Sequence, residues 1–287
     1  MKTKDLAQHA KKQSGFTLIE LIIVVVLLGI LGAMGAGFIS QAFKGFFDTD
    51  IRMEIYEEGK SALVRMEREI HIAVPNAVQE PFDSDADTVD DTISIGVVDE
   101  NAMTTVFGQY KDAHPTGGKT IEDRIGALQL TPTGKNPLVS IYNTSWDDFF
   151  GGTKIYQVTN PGTNPMNLKQ GNGVDPLIAA QIGIASPYGR FYAVRDEAVR
   201  FQVSSGTLQR WTAAVDENGI AVAGFVDPYP LARNVQPAVD SSNAPLPYFT
   251  YEPGTSTRNS VVIIHFAISR NGETVNFHKE VQIRNVP

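Results

Sequence analysis

Cysteine is absent from all 287 residues of the chain. Disulfides, thiolate metal sites and a cysteine nucleophile are therefore excluded, and any folded part must be held by its own core. Tryptophan occurs only twice and histidine five times. The histidines (His9, His71, His114, His265 and His278) show no metal-ligand spacing. A nucleophile elbow and a phosphate-binding glycine loop are also missing. The sequence thus offers no catalytic constellation and no cofactor motif, and it reads as a non-enzyme. Basic residues are outnumbered, 24 Lys and Arg against 32 Asp and Glu, giving a formal net charge of −8. Such a balance argues against nucleic acid as a partner. The chain has 16 prolines, yet the first is Pro75.

What is present begins with Leu21 to Ile39, nineteen residues without a charge. At ~1.5 Å rise per residue, such a helix spans most of a ~30 Å hydrocarbon core. Lys2, Lys4, Lys11 and Lys12 precede it, offset only by Asp5. A basic flank of this kind stays in the cytoplasm. The expected localisation is the inner membrane, single-pass, with a cytoplasmic N-terminus and a periplasmic C-terminal domain. An ordinary signal peptide would have a shorter apolar region followed by a small-residue cleavage site. Here Gly15 comes before the apolar run. Glu20 immediately precedes that run, at the head of the apolar helix, and a carboxylate within a membrane helix costs ~2–3 kcal/mol at the centre and marks a function.

The segment Lys12-Gln13-Ser14-Gly15-Phe16-Thr17-Leu18-Ile19-Glu20 resembles the class III signal of type IV pilins and type II secretion pseudopilins. The resemblance implies a prepilin peptidase that cuts after Gly15 and methylates Phe16. It also implies assembly with other pilin or pseudopilin subunits through the N-terminal helix. A physical role for Glu20 then follows. Cleavage gives Phe16 a free ammonium, and an unpaired charge in a low-dielectric helix bundle is costly. A neighbouring subunit's Phe16 ammonium could pair with Glu20 and set the axial register. The alternative is that Glu20 only reaches out to the headgroups.

Beyond Ile39 the helical pattern continues and becomes amphipathic. Phe43, Phe47, Ile51, Ile55, Ala62, Met66, Ile70 and Val74 form an apolar stripe, with charged residues such as Glu57, Arg65 and Glu69 between them. Phe16 to about Val74 reads as one helix roughly 90 Å long, ended by Pro75. After Pro75 the texture is that of strands. Thr92–Val98, Leu138–Tyr142, Thr153–Val158, Arg190–Val194, Val199–Val203 and Thr207–Thr212 are expected strands, with a hairpin turn at Ser204-Ser205-Gly206. Val261–Ser269, Asn271-Gly272 and the alternating run to Ile283 predict a second hairpin, expected at the centre of the sheet. Residues 162–173 and 228–247 read as loops. The expected fold is α+β, a long N-terminal transmembrane and spine helix followed by an antiparallel β-sheet domain. The expected divisions are a leader at 1–15, a spine helix at 16–74 (membrane-spanning over 16–39) and a β-rich domain at 75–287.

Two loops carry chemistry. Asp83, Asp85 and Asp87 have the spacing that opens a calcium loop, but Thr88 and Ser94 stand where glycine and glutamate are needed. A solvated acidic loop is the simpler reading, with calcium the only cofactor considered. Trp146, Phe149 and Phe150 could form a sugar- or partner-binding tip, or pack a loop onto the sheet. Glu57–Asn76, Val139–Asn143, Arg190–Val194, Leu231–Val235 and Val281–Pro287 are similar to minor pilin-like proteins of mannose-sensitive haemagglutinin (MSHA) pilus biogenesis. That resemblance implies a minor structural subunit acting in pilus assembly near the tip. A type II secretion pseudopilin of the J kind and a tip adhesin binding a surface glycan are the alternatives.

Overall fold

A computed structural model describes residues 15–112, 120–128, 136–169, 189–221, 224–254 and 258–283. Residues 1–14 of the expected leader, His114 and the chain end at 284–287 lie outside the described residues. The fold is α+β: a long N-terminal helix followed by an antiparallel β domain. Helix α1 runs Leu18–His71. The chain divides into a first unit ending at Ile51 and a second beginning at Arg52.

Within the first unit the apolar residues of α1 are exposed; Phe16 is 86 % exposed and Phe38 75 %. Phe43 and Phe47, expected in the buried stripe, are exposed as well. Within the second unit α1 buries Ile55, Gly59, Ala62, Met66, Glu69 and Ile70. Four of these are the apolar positions expected from the 3.6-residue period.

The helix stops earlier than the sequence suggests. Ala73–Val78, which contains Pro75, is strand β1. It pairs antiparallel with β2, Thr92–Val98, and Val98 N donates to Ile72 O at 2.9 Å. Pro75 is tolerated because β1 ends the strand order, so its missing N–H removes no second ladder bond. Asn76, at φ +59°, lies within the register shift that interrupts this pairing.

The remaining elements follow in order. They are β3 (Gly108–Asp112), β4 (Thr120–Asp123), β5 (Leu138–Ile141), helix α2 (Trp146–Phe150), β6 (Ile155–Val158), β7 (Met166–Lys169), β8 (Arg190–Ser204) and β9 (Thr207–Asp216). Then come β10 (Gly219–Ile220), β11 (Val226–Arg233), β12 (Val235–Gln236), β13 (Phe249–Glu252), β14 (Ser260–Arg270) and β15 (Glu273–Ile283). The two runs expected at 190–194 and 199–203 are one strand, β8, which organises the larger sheet. Its first half pairs with β3 and β5, and its second half with β2 and β9. The path β8–β3–β4–β7–β6–β5 returns to β8 and closes a ring of strands. Ile121, Val139, Ile141, Val158, Phe191 and Ala193 belong to one buried cluster among these strands.

The C-terminal hairpin is not central to that sheet. It forms a separate four-stranded sheet in which β14 pairs with β12, β13 and β15. Val262, Ile264, Phe266 and Ile268 are buried, as the two-residue alternation requires. Asn271 (φ +53°) and Gly272 (φ +89°) make the predicted type I′ turn. Ser205 and Gly206 make the corresponding turn between β8 and β9. The second half of α1 is tied to the hairpin by Arg270 with Glu54 (2.9 Å) and Glu58 (2.7 Å), and by Lys279 with Glu67 (2.8 Å). The expected loops also change: Met166–Lys169 is β7, and much of 228–236 lies in β11 and β12.

Candidate functional site

The N-terminal site starts from local helix chemistry. The first N–H groups of any helix lack intrahelical partners. Here Thr17 N and Thr17 Oγ1 each donate to Glu20 Oε2 at 3.2 Å, and Glu20 N donates to Thr17 Oγ1 at 3.4 Å. Leu21 N donates to Thr17 O at 3.2 Å as the first helical bond. This is a reciprocal capping box of the Thr-x-x-Glu type. Thr17 is not among the residues expected at the site, although that spacing is its signal. Gly15 and Phe16 precede the helix and are exposed. An exposed glycine–phenylalanine bond outside regular structure is what a protease needs to bind in extended form. From Leu18 onward α1 is long and apolar enough to cross a membrane, and none of its most apolar window is buried. It fits a single-pass membrane anchor.

The acidic loop is built differently from the expected trio. Asp83, Asp85 and Asp91 have carboxylate oxygens within 4.8 Å of one another. Asp87 is outside this group and accepts from Val89 N at 2.8 Å. Asp83 acts mainly as a local organiser. Its Oδ1 accepts from Ala86 N and its Oδ2 from Thr88 N, both at 2.7 Å. Burial would raise its pKa, but the backbone N–H groups of Thr88, Ala86, Asp85 and Asp87 hold it below the usual carboxylate value. Asp85 is pushed up, by desolvation and then by Asp87, Asp91 and Asp83. Asp91 is buried and accepts from Ser84 Oγ at 2.7 Å and Thr92 Oγ1 at 2.6 Å. Thr88, placed where a calcium loop has glycine, takes φ +75°.

The aromatic loop packs onto the sheet. Phe149 is fully buried under Gly96 of β2, in a cluster with Val74, Leu138 and Ile155. Trp146 stacks on it with ring centroids 5.9 Å apart, and Phe150 is half exposed. Ser145 caps α2 by accepting from Asp148 N. Burial alone would push Asp148 up, but Thr144, Thr153 and Lys154 hold it below the usual range.

A buried ion pair has no counterpart among the sequence expectations. Glu69, a surface position by helical spacing, is 3 % exposed. Its Oε2 is 2.8 Å from Arg210 Nε on β9, and Arg65 also pairs with it. Arg210 continues to Glu197 at 3.3 Å.

Residues 10–36 match the family model described as the prokaryotic N-terminal methylation motif. No curated protein and no solved structure matches the chain.

Proposed function

We propose that the protein is a minor pilin-like structural subunit of an MSHA-type type IV pilus, acting in fibre assembly near the tip. The observation that carries this reading is the N-terminal methylation motif at 10–36, set at the head of an apolar, exposed helix. On this reading a prepilin peptidase removes residues 1–15 and methylates Phe16. Loss of that segment takes four lysines and one aspartate, so the charge of the mature chain goes from −8 to −11. The mature helix waits in the inner membrane with the β domain outside. It then leaves lipid to pack against the helices of other subunits, and Glu20 meets a neighbour's Phe16 ammonium. The loose similarity of Glu57–Asn76 and Val139–Asn143 to minor MSHA pilus proteins supports the choice of system.

N-terminal mass spectrometry of membrane and sheared-fibre fractions tests the reading. N-methyl-Phe16 is expected at the N-terminus, and substitution of Gly15 should abolish it. An intact leader on the protein in both fractions would overturn the proposal.

A further inference from the structure

His265 of β14 and His278 of β15 stand directly opposite each other in the C-terminal hairpin, with ring centroids 4.6 Å apart. Glu280 lies two residues beyond His278 on the same face, and its Oε1 is 3.9 Å from His278 Nε2. We propose that His265, His278 and Glu280 bind a divalent transition-metal ion of the zinc type through two imidazoles and one carboxylate.

The hairpin brings these groups together. His265 alternates with Ile264 and Phe266, which are buried, so it belongs to the opposite face of its sheet. Every residue from Ser260 to Arg270 has its partner between Glu273 and Ile283, with no shift of register. The backbone under the three side chains is therefore fixed. Directly opposed residues of an antiparallel pair have Cβ atoms ~4.5–5.5 Å apart, and the diagonal neighbour is still within reach of a long side chain. Glu280 is that diagonal neighbour of His265, and its charge acts there against the effect of His278. His265 Nδ1 is buried and finds no hydrogen-bond partner among the described residues. Buried polar atoms without partners are uncommon in folded proteins. Stacking on His278 leaves that nitrogen unpaired, whereas a bound cation satisfies the ring. The side chains of His278 and Glu280 are 57 % and 65 % exposed, so both can turn toward an ion held at His265.

The donor set selects the ion. Imidazole nitrogens suit zinc, copper and nickel, whereas calcium and magnesium take oxygen ligands. Zinc held by three protein ligands keeps a further position open for water or another ligand. Here that position faces solvent, because His278 and Glu280 are exposed. The acidic loop is a different kind of site. Asp83, Asp85 and Asp91 offer only oxygens, and both oxygens of Asp83 already accept from backbone N–H groups of Ala86 and Thr88. The two histidines have no ligand spacing along the chain, and only the register of β14 on β15 makes them neighbours. The inference does not depend on the assembly role, since all three residues lie in the second unit.

The test uses the tag-free full chain in lipid nanodiscs, stripped with a chelator and titrated with zinc in a calorimeter. Zinc binding is expected, and excess calcium should not displace it. His278→Gln and Glu280→Gln, both at exposed positions, should each weaken zinc about tenfold, the loss of one ligand, with the melting temperature in chelator unchanged. His265→Gln should abolish binding. Because His265 is half-buried, the two exposed variants decide the outcome if that variant fails to fold. No zinc bound at millimolar concentration, displacement of zinc by calcium, or unaltered affinity in both exposed variants would overturn the proposal.

Discussion

The ring of Phe277 in β15 fills the space directly over Gly59 of α1, where a Cβ atom would overlap its edge carbons. The ring cannot easily give way. It is 6 % exposed and stacked on Phe266 with centroids 4.9 Å apart. In an open helix, Gly→Ala stabilises by ~1 kcal/mol through propensity. Here overpacking by ~1–3 kcal/mol should win. Gly59→Ala is expected to lower stability in thermal melts of the purified protein. In a Phe277→Ala background, already weakened by the cavity, the sign should reverse and Gly59→Ala should become neutral or stabilising. The same sign in both backgrounds would show that the ring does not set the approach of helix to hairpin.

Glu69 and Arg210 form a further tie between α1 and the β domain, this one buried. The side chain of Glu69 is 4 % exposed and that of Arg210 12 %. Removing one partner of a buried pair leaves a charge stranded and costs ~3–5 kcal/mol. Arg210→Met should therefore destabilise strongly, as should Glu69→Leu. The double substitution should be far less damaging than the sum, because an apolar pair of similar volume is often neutral. Denaturant titrations of the four proteins measure this directly. Additive losses would mean that the two side chains are separately, not mutually, important.

His265 and His278 face each other across β14 and β15 with ring centroids 4.6 Å apart. Burial and then the proximity of His278 lower the pKa of His265 below 6.5, with Glu280 opposing. The sign follows from linkage: a histidine depressed in the folded state is protonated first in the unfolded state. Its contribution to stability is present above pH 6.5 and is lost as pH falls through the folded pKa. Melting temperature should thus drop between about pH 7.5 and about pH 5.5, and His265→Gln should flatten that slope. An unchanged slope would assign the acid sensitivity to other groups.

The C-terminal hairpin is legible in the sequence because strict alternation and an Asn-Gly turn point to the same structure. The end of α1 is not. Ala73 and Val74 continue the helical apolar spacing, and Pro75 looks like a helix breaker. Only the pairing of β1 with β2 shows it to be an outer-strand proline. In β11, Pro228 and Pro230 hide an outer strand for the same reason. Strands β3, β4 and β7 are short and carry Gln109, Glu122 and Asn167, so tertiary pairing rather than local pattern creates them. At the N-terminus, Gly15, Phe16 and Glu20 fall within the matched methylation motif, a linear pattern that needs no tertiary contact to be seen. Glu69 is unreadable, since a charged residue at a helical position says nothing of the arginine that will arrive from β9.

Two roles meet at Glu20, and they can be separated. Its carboxylate closes the capping box with Thr17, and on the assembly reading it also balances a neighbour's Phe16 ammonium. Glutamine serves a capping box as well as glutamate but carries no charge. Glu20→Gln should therefore leave α1 and the membrane level normal while lowering recovery in sheared fibres as much as Glu20→Ala does. Thr17→Val removes the hydroxyl of the cap at a cost of ~0.5–2 kcal/mol in helix stability and keeps the carboxylate. A helix anchored by membrane packing tolerates that loss, so Thr17→Val should still enter fibres. Quantitative immunoblots of membrane and fibre fractions distinguish the roles. Normal incorporation of Glu20→Gln together with failure of Thr17→Val would mean that Glu20 acts by capping its own helix and that charge pairing between subunits is not what sets the register.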